Sequence, residues 1–284
     1  MKLGIDDKLA LVTGASGEIG RSTAIALATD GARLLLTDTD RDALDESASA
    51  VREATGVDSV TATADLTVQA DSDQLAAVGG QHGGIDICVH AAGITGAKGD
   101  PLELTDDDYE SAWAIDFMSA VRIARSVVPS MVAKAWGRLV FVASENAVQS
   151  YSDEMPYNVA KAALLNFTKG TAQVYAPHGV LINVVSPAFI ETAMTDGMME
   201  QRADDLGVSV ADAVESFLDE ERPHLVLKRR GQPPEVASVI AFTSNQRPGH
   251  LSVASSNQPV NATRGSADIP ASLIPALSYS FLSL

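Results

Sequence analysis

Three side chains in the middle of the chain have the types and spacing for proton transfer to and from a small oxygen-bearing molecule: Ser144, Tyr157 and Lys161. Tyr157 and Lys161 are four positions apart, so on a helix they share one face, about 6 Å apart along the axis. A free tyrosine titrates near pH ~10, and each unit of depression takes about 1.4 kcal/mol of differential interaction. A lysine cation nearby in a dry cleft is expected to supply several kcal/mol of it. A serine hydroxyl reaching the same place would hydrogen-bond the oxygen of a reacting carbonyl or alcohol. Tyr-x-x-x-Lys pairs also fall on helices by chance, so the elements that carry the three residues decide the reading.

Residues 139–143, Leu-Val-Phe-Val-Ala, form a short apolar run that reads as a buried strand, with Ser144 at its end. A polar loop follows, then a breaker-poor helix from Pro156 that carries Tyr157 and Lys161. Near the start of the chain, a strand at 8–13 runs into Gly14-Ala15-Ser16-Gly17-Glu18-Ile19-Gly20 and then a helix at 21–29. Glycines there permit a tight turn and close approach of backbone to a pyrophosphate, which would rest on the amides of the helix N-terminus. An ordinary strand-to-helix turn uses glycines as well. The second strand, 32–37, ends in Asp38. An acid about 20 positions beyond such a turn accepts hydrogen bonds from both ribose hydroxyls and repels a 2′-phosphate, which favours NAD over NADP. Asp38 is also placed to cap the helix that begins near Asp40.

A glycine turn, an acid after the second strand, and a serine closing a strand ahead of a Tyr/Lys helix together resemble the short-chain dehydrogenase/reductase family, in its single-domain branch, over about residues 6–262. The resemblance implies an NAD-dependent oxidoreductase acting on a secondary alcohol or its ketone. Tyr157 would be the general acid/base, Lys161 would lower its pKa and hold the nicotinamide ribose, and Ser144 would orient the substrate oxygen. Asp116 falls where the family usually has an asparagine whose carbonyl region holds a water linking the lysine to solvent. It joins the catalytic set as the main chemical departure, able to accept hydrogen bonds but not to donate an amide.

Glu18 replaces the central glycine of the family's turn, and His90-Ala91-Ala92-Gly93 stands for its Asn-Asn-Ala-Gly. In the 186–192 segment Pro187, Ile190 and Thr192 match, while Ala188 replaces a glycine and so must avoid positive φ. The dinucleotide is thereby assigned to Gly14, Ser16, Glu18, Ile19, Gly20, Asp38, Asp65, Leu66, Ala91, Ala92, Gly93, Pro187, Ile190 and Thr192, with Tyr157 and Lys161. The substrate is assigned to Ser144, Gln149, Tyr151, Met155, Phe189 and Met194. No metal is expected, since no second histidine stands at ligand spacing from His90.

Alternating strands and helices, with the glycine turn and the acid, argue for an α/β doubly wound parallel sheet, the Rossmann fold. The resemblance adds about seven strands with helices on both faces, in a single domain over 1–284. A long helix is expected over 105–133, a substrate lid at about 193–228 and a divergent apolar tail at about 266–284, after a last strand near 258–261. Family members form dimers or tetramers through the helices at 105–133 and 156–175, and a homodimer or homotetramer is expected here.

The 284 residues carry a net charge of −17, which argues against nucleic acid as a partner. The first residues lack a signal-peptide core, and no apolar run approaches a membrane span. Cys88 is the single cysteine, inside an apolar strand-like run, so no disulfide forms within the chain and a reducing cytoplasm is expected. Two other readings stand beside the dehydrogenase: a nucleotide-binding scaffold or sensor of the same fold, and an NADPH-dependent 3-oxoacyl-carrier reductase. Neither the alcohol nor the direction of reaction follows from the residues.

Overall fold

A computed structural model describes residues 3–245. Its strands are β1 (Leu9–Thr13), β2 (Arg33–Thr37), β3 (Val60–Thr61), β4 (Ile87–His90), β5 (Gly137–Val142) and β6 (Val180–Val185). Its α-helices are α1 (Glu18–Thr29), α2 (Arg41–Thr55), α3 (Gln69–Gln81), α4 (Asp106–Ala112), α5 (Ser119–Ala133), α6 (Met155–Tyr175), α7 (Ala193–Leu206), α8 (Val210–Glu220) and α9 (Pro233–Thr243). The strands pair in parallel in the order β3-β2-β1-β4-β5-β6.

The strands are almost continuously apolar because the sheet is covered on both faces. Alternate residues part to opposite sides: Ala10, Val12, Val89 and Val140 join Leu27 of α1 and Ile240 of α9 in one core. Leu11, Cys88, Leu139 and Phe141 join Ile123 and Val127 of α5 and Leu164 of α6 in the other. Burying a side chain such as Phe141 stabilises by roughly 1.5–3 kcal/mol, so each face anchors the strand ends that carry polar residues. The chain winds outward from β1 in one direction and from β4 in the other. The crevice at that reversal, beyond the C-terminal strand ends, is where such sheets bind ligands.

Two elements differ from expectation. The third strand is confined to Val60 and Thr61 at the half-buried sheet edge, although Ala62 and Ala64 still donate backbone hydrogen bonds to Leu36 (3.0 Å) and Asp38 (3.0 Å). The helix over 105–133 is interrupted by a π-helical segment, Trp113–Met118, between α4 and α5. The 193–228 insertion contains α7 and α8, whose Met199, Phe217 and Leu218 close over Phe189 as a separate small core. The strand expected near 258–261 and the tail at 266–284 lie outside the described residues. Among those residues, no helix is long and apolar enough to cross a membrane.

Candidate active site

A cavity of about 420 Å³ opens beyond the strand ends, lined by the glycine turn, the ends of β2 and β4, the Ser144 region, α6 and the 187–195 segment. Gly14 has φ of 63°, and a Cβ there would lie 2.7 Å from the Ala92 nitrogen; at Gly20 it would lie 2.1 Å from the Gly14 carbonyl oxygen. Neither position accepts a side chain, which leaves bare backbone and the first turn of α1 against the cavity, as a diphosphate requires.

Asp38 lines the same cavity, and its carboxylate accepts the backbone N–H groups of Ser16 (3.0 Å) and Thr39 (2.8 Å). The cap of α2 is Asp40, which accepts from Asp42 (2.9 Å) and Ala43 (3.1 Å), so Asp38 is free of that duty. Asp65 accepts two hydrogen bonds from Thr67, which hold its carboxyl below the usual range. Every residue assigned to the dinucleotide lines the cavity except Ser16, which stands behind it with its N–H on Asp38. The fit to a dinucleotide is therefore good in the turn, the acid and the small residues Ala91, Ala92 and Gly93.

Ser144, Tyr157 and Lys161 meet at the other end of this cavity. Ser144 follows β5 and caps the 3₁₀ turn Glu145–Ala147. Pro156, in the first turn of α6, starts the helix that presents Tyr157 and Lys161 on one face. Lys161 Nζ lies 5.3 Å from the centre of the Tyr157 ring and donates to the Val142 carbonyl (3.3 Å), and Ser144 is close enough to Tyr157 to stabilise its phenolate.

Lys161 also pairs with Asp116, Nζ to Oδ1 at 3.1 Å. The π-turn aims this carboxylate inward, and Gly93 makes room for it: a Cβ on Gly93 would stand 2.6 Å from Asp116 Oδ1 and 3.2 Å from Lys161 Nζ. Asp116 Oδ1 also accepts the Ile94 N–H (3.2 Å), whereas Oδ2 is buried with no hydrogen-bond partner among the described residues.

This carboxylate adds to the electrostatics around Tyr157, where burial is the largest influence. Burial raises the phenol, Lys161 opposes that, Asp116 adds to it, and the net direction from the chain's own groups is upward. Burial alone would lower Lys161, but the charges of Tyr157 and Asp116 outweigh it and its pKa rises, which keeps it a cation. Asp116 is raised by burial against the pull of Lys161 and the Ile94 N–H. His90 is a packed neutral group: burial, then Lys161, lower it to about 3. Its ring joins Thr13 Oγ1 (3.0 Å) to Ser119 Oγ (2.9 Å). Cys88 is buried, its thiol pushed up to about 12. Among the described residues, no group of carboxylates, histidines or cysteines has metal-binding geometry.

Of the residues assigned to the substrate, Ser144 and Met194 line the cavity. Gln149, Tyr151, Met155 and Phe189 do not. Gln149 is exposed, Phe189 is buried against Phe217 (ring centres 4.8 Å apart), and the Tyr151 hydroxyl donates to Glu145 (3.0 Å) beneath the Arg222 guanidinium. Residues outside the assigned sets also line the cavity, among them Thr39, Ile94 and Thr195, with Ile115, which by type reads as helix packing. Their signal was positional only, each lying within three places of a motif residue.

The sequence matches the short chain dehydrogenase family over residues 8–203. An acetoacetyl-CoA reductase from Allochromatium vinosum is 32% identical over 256 residues, 89% of this chain and 97% of that protein. A structure of L-sorbose reductase from Gluconobacter frateurii, complexed with NADPH and L-sorbose, superposes with a TM-score of 0.81 at 32% identity, covering 87% of this chain and 93% of that one. An NAD+-bound xylitol dehydrogenase superposes with a TM-score of 0.77 at 26% identity, over 85% and 93% of the two chains. With the parallel sheet, the glycine turn and the Ser-Tyr-Lys cluster in one cavity, these matches make the chain a member of the short-chain dehydrogenase/reductase family.

Proposed function

We propose that the chain interconverts a secondary alcohol and its ketone with NAD as the cofactor, through Ser144, Tyr157 and Lys161. The observation that carries the reading is that these three groups share one cavity with the glycine turn and Asp38. When bound, the nicotinamide gives or takes the hydride. In alcohol oxidation Tyr157 takes the substrate's hydroxyl proton; in ketone reduction it returns one. Lys161 stabilises the phenolate so formed, and Ser144 holds the substrate oxygen beside it.

Asp38 supports NAD over NADP. Its carboxylate is held by two backbone N–H groups, and Lys161, at the far end, is the one Lys or Arg among the described residues that line the cavity. A 2′-phosphate beside Asp38 would meet its negative charge. The 193–228 segment supplies Met194 and Thr195 to the cavity wall and acts as the lid over the substrate.

Mixing the protein with NAD and, in parallel, NADP, against sorbitol, xylitol, menthol and trans-1,2-cyclohexanediol tests the reading through the absorbance of reduced nicotinamide. Turnover with NAD is the expected result. Turnover with NADP alone would refute the cofactor assignment, and turnover that is unchanged in Tyr157→Phe would refute the mechanism.

A further inference from the structure

Behind Ser144, on the side away from the cofactor end of the cavity, lies a buried polar cluster that the proposed chemistry does not use. It comprises Glu145, Asn146, Glu154, Asn158 and Arg222, all buried. Its hydrogen-bond directions follow from one fixed point. The Tyr151 carbonyl can only accept, so Asn158 Nδ2 donates to it (2.7 Å) and Asn158 Oδ1 faces Asn146. Asn146 Nδ2 must then donate, and it does so twice, to Asn158 Oδ1 (2.9 Å) and Glu154 Oε2 (2.6 Å). That turns Asn146 Oδ1 toward Ser144, whose hydroxyl donates to it (2.9 Å) while the Asn146 N–H returns a bond to Ser144 Oγ (3.3 Å). Asn146 thus holds Ser144 Oγ from two sides, through its side-chain carbonyl and its own N–H, and fixes where the serine hydroxyl stands at the cavity.

Glu154 is held in turn by Lys98 (2.6 Å) and by Arg222, which follows α8 in the 193–228 segment. The Arg222 guanidinium carbon lies 3.1 Å over the Tyr151 ring, with Nε 3.2 Å from Glu145 Oε1 and NH2 3.9 Å from Glu154 Oε2. Two carboxylates on the Ser144 side therefore pair by charge with one guanidinium from the segment beyond α8, whose buried Nε makes no hydrogen bond among the described residues. A buried amide in such a network is locked only while all its partners stay in place.

We propose that Asn146 is a positioning residue for Ser144, and that Arg222 keeps Asn146 in register through Glu154, so that the seating of the α7–α8 segment and the orientation of the serine hydroxyl are one unit. The proposal rests on the reading of Ser144 as the group that holds the substrate oxygen.

The test is a double-mutant cycle in kcat, with NAD and whichever of the four alcohols above is oxidised fastest, followed in single turnovers so that slow variants are measured. Asn146→Ala is expected to lower kcat roughly tenfold while leaving the Kd for NADH unchanged. In a Ser144→Ala background the same change should cost less than about twofold, because its effect passes through the serine. Arg222→Met should lower kcat in the same sense, and Arg222→Lys should restore most of it.

A second readout needs no substrate. The Asn146 side-chain amide, identified by NMR as the signal lost in Asn146→Ala, should exchange slowly with solvent in the parent and faster in Arg222→Met. Parent-like turnover of Asn146→Ala beside an impaired Ser144→Ala would overturn the role of Asn146 alone. So would an equal loss in both backgrounds, or an amide that exchanges as fast as an exposed asparagine. Parent-like turnover of Ser144→Ala would instead remove the reading on which both stand.

Discussion

Lys161 and Asp116 form an ion pair of 3.1 Å in which the lysine side chain is 5% exposed and the carboxylate 0%. The pair sits beside the phenol that the proposed mechanism uses, so the lysine's field is shared between Asp116 and Tyr157. Asp116→Asn keeps an acceptor for the Ile94 N–H and removes the negative charge. Asp116 raises the Tyr157 pKa, so its neutralisation must lower it. Alcohol oxidation uses the deprotonated phenol and gains with pH up to that pKa. The kcat–pH profile of Asp116→Asn should therefore rise at lower pH than that of the parent. A rise at higher pH would contradict the account. Asp116→Leu, which strands Lys161 without a counter-charge, should cost about 3–5 kcal/mol in denaturant unfolding.

In the proposed reading Asp38 is the charge set against a 2′-phosphate. Asp38→Ser removes it while leaving a short polar side chain near the Ser16 and Thr39 amides that Asp38 now receives. The ratio of kcat/KM for NAD to that for NADP should fall at least about tenfold. An unchanged ratio would mean that cofactor choice is made elsewhere.

Glu18 ties the glycine turn to the 193–228 segment. Its Oε1 accepts the Ala193 N–H at 3.1 Å, at the first residue of α7. A carboxylate at a helix N-terminus satisfies a donor that the helix cannot and complements its dipole, an effect of about 1 kcal/mol or less at an exposed site. Glu18→Ala should therefore speed hydrogen exchange in the first turn of α7 and leave the amides of α6 unchanged.

Much of this architecture is legible in the residues because two periodicities coincide. The apolar runs around Leu11, Leu35 and Leu139 read as buried strands, and Tyr157 and Lys161 are read onto one helical face from their spacing alone. The glycine turn and Asp38 are legible for a similar reason: backbone clearance and one charge are properties of residue type. The substrate side is not. Phe189 and Tyr151 look like pocket residues by type and position, but Phe217 and Arg222, far along the chain, claim them. The π-turn is equally hidden, because Asp116 reads as an ordinary helical residue and its inward aim depends on the space left by Gly93. The polar pair Glu145-Asn146, directly after an apolar strand, was the one local sign that something other than core lay behind Ser144.

The most direct test of the central claim is Tyr157→Phe, which removes one hydroxyl and leaves the α6 helix, the Lys161–Asp116 pair and the dinucleotide cavity intact. Single-turnover formation of reduced nicotinamide should be almost abolished, while NADH still binds within about a few-fold of the parent. Hydride transfer at the parental rate in that variant would contradict the assignment of the phenol as the group that moves the proton.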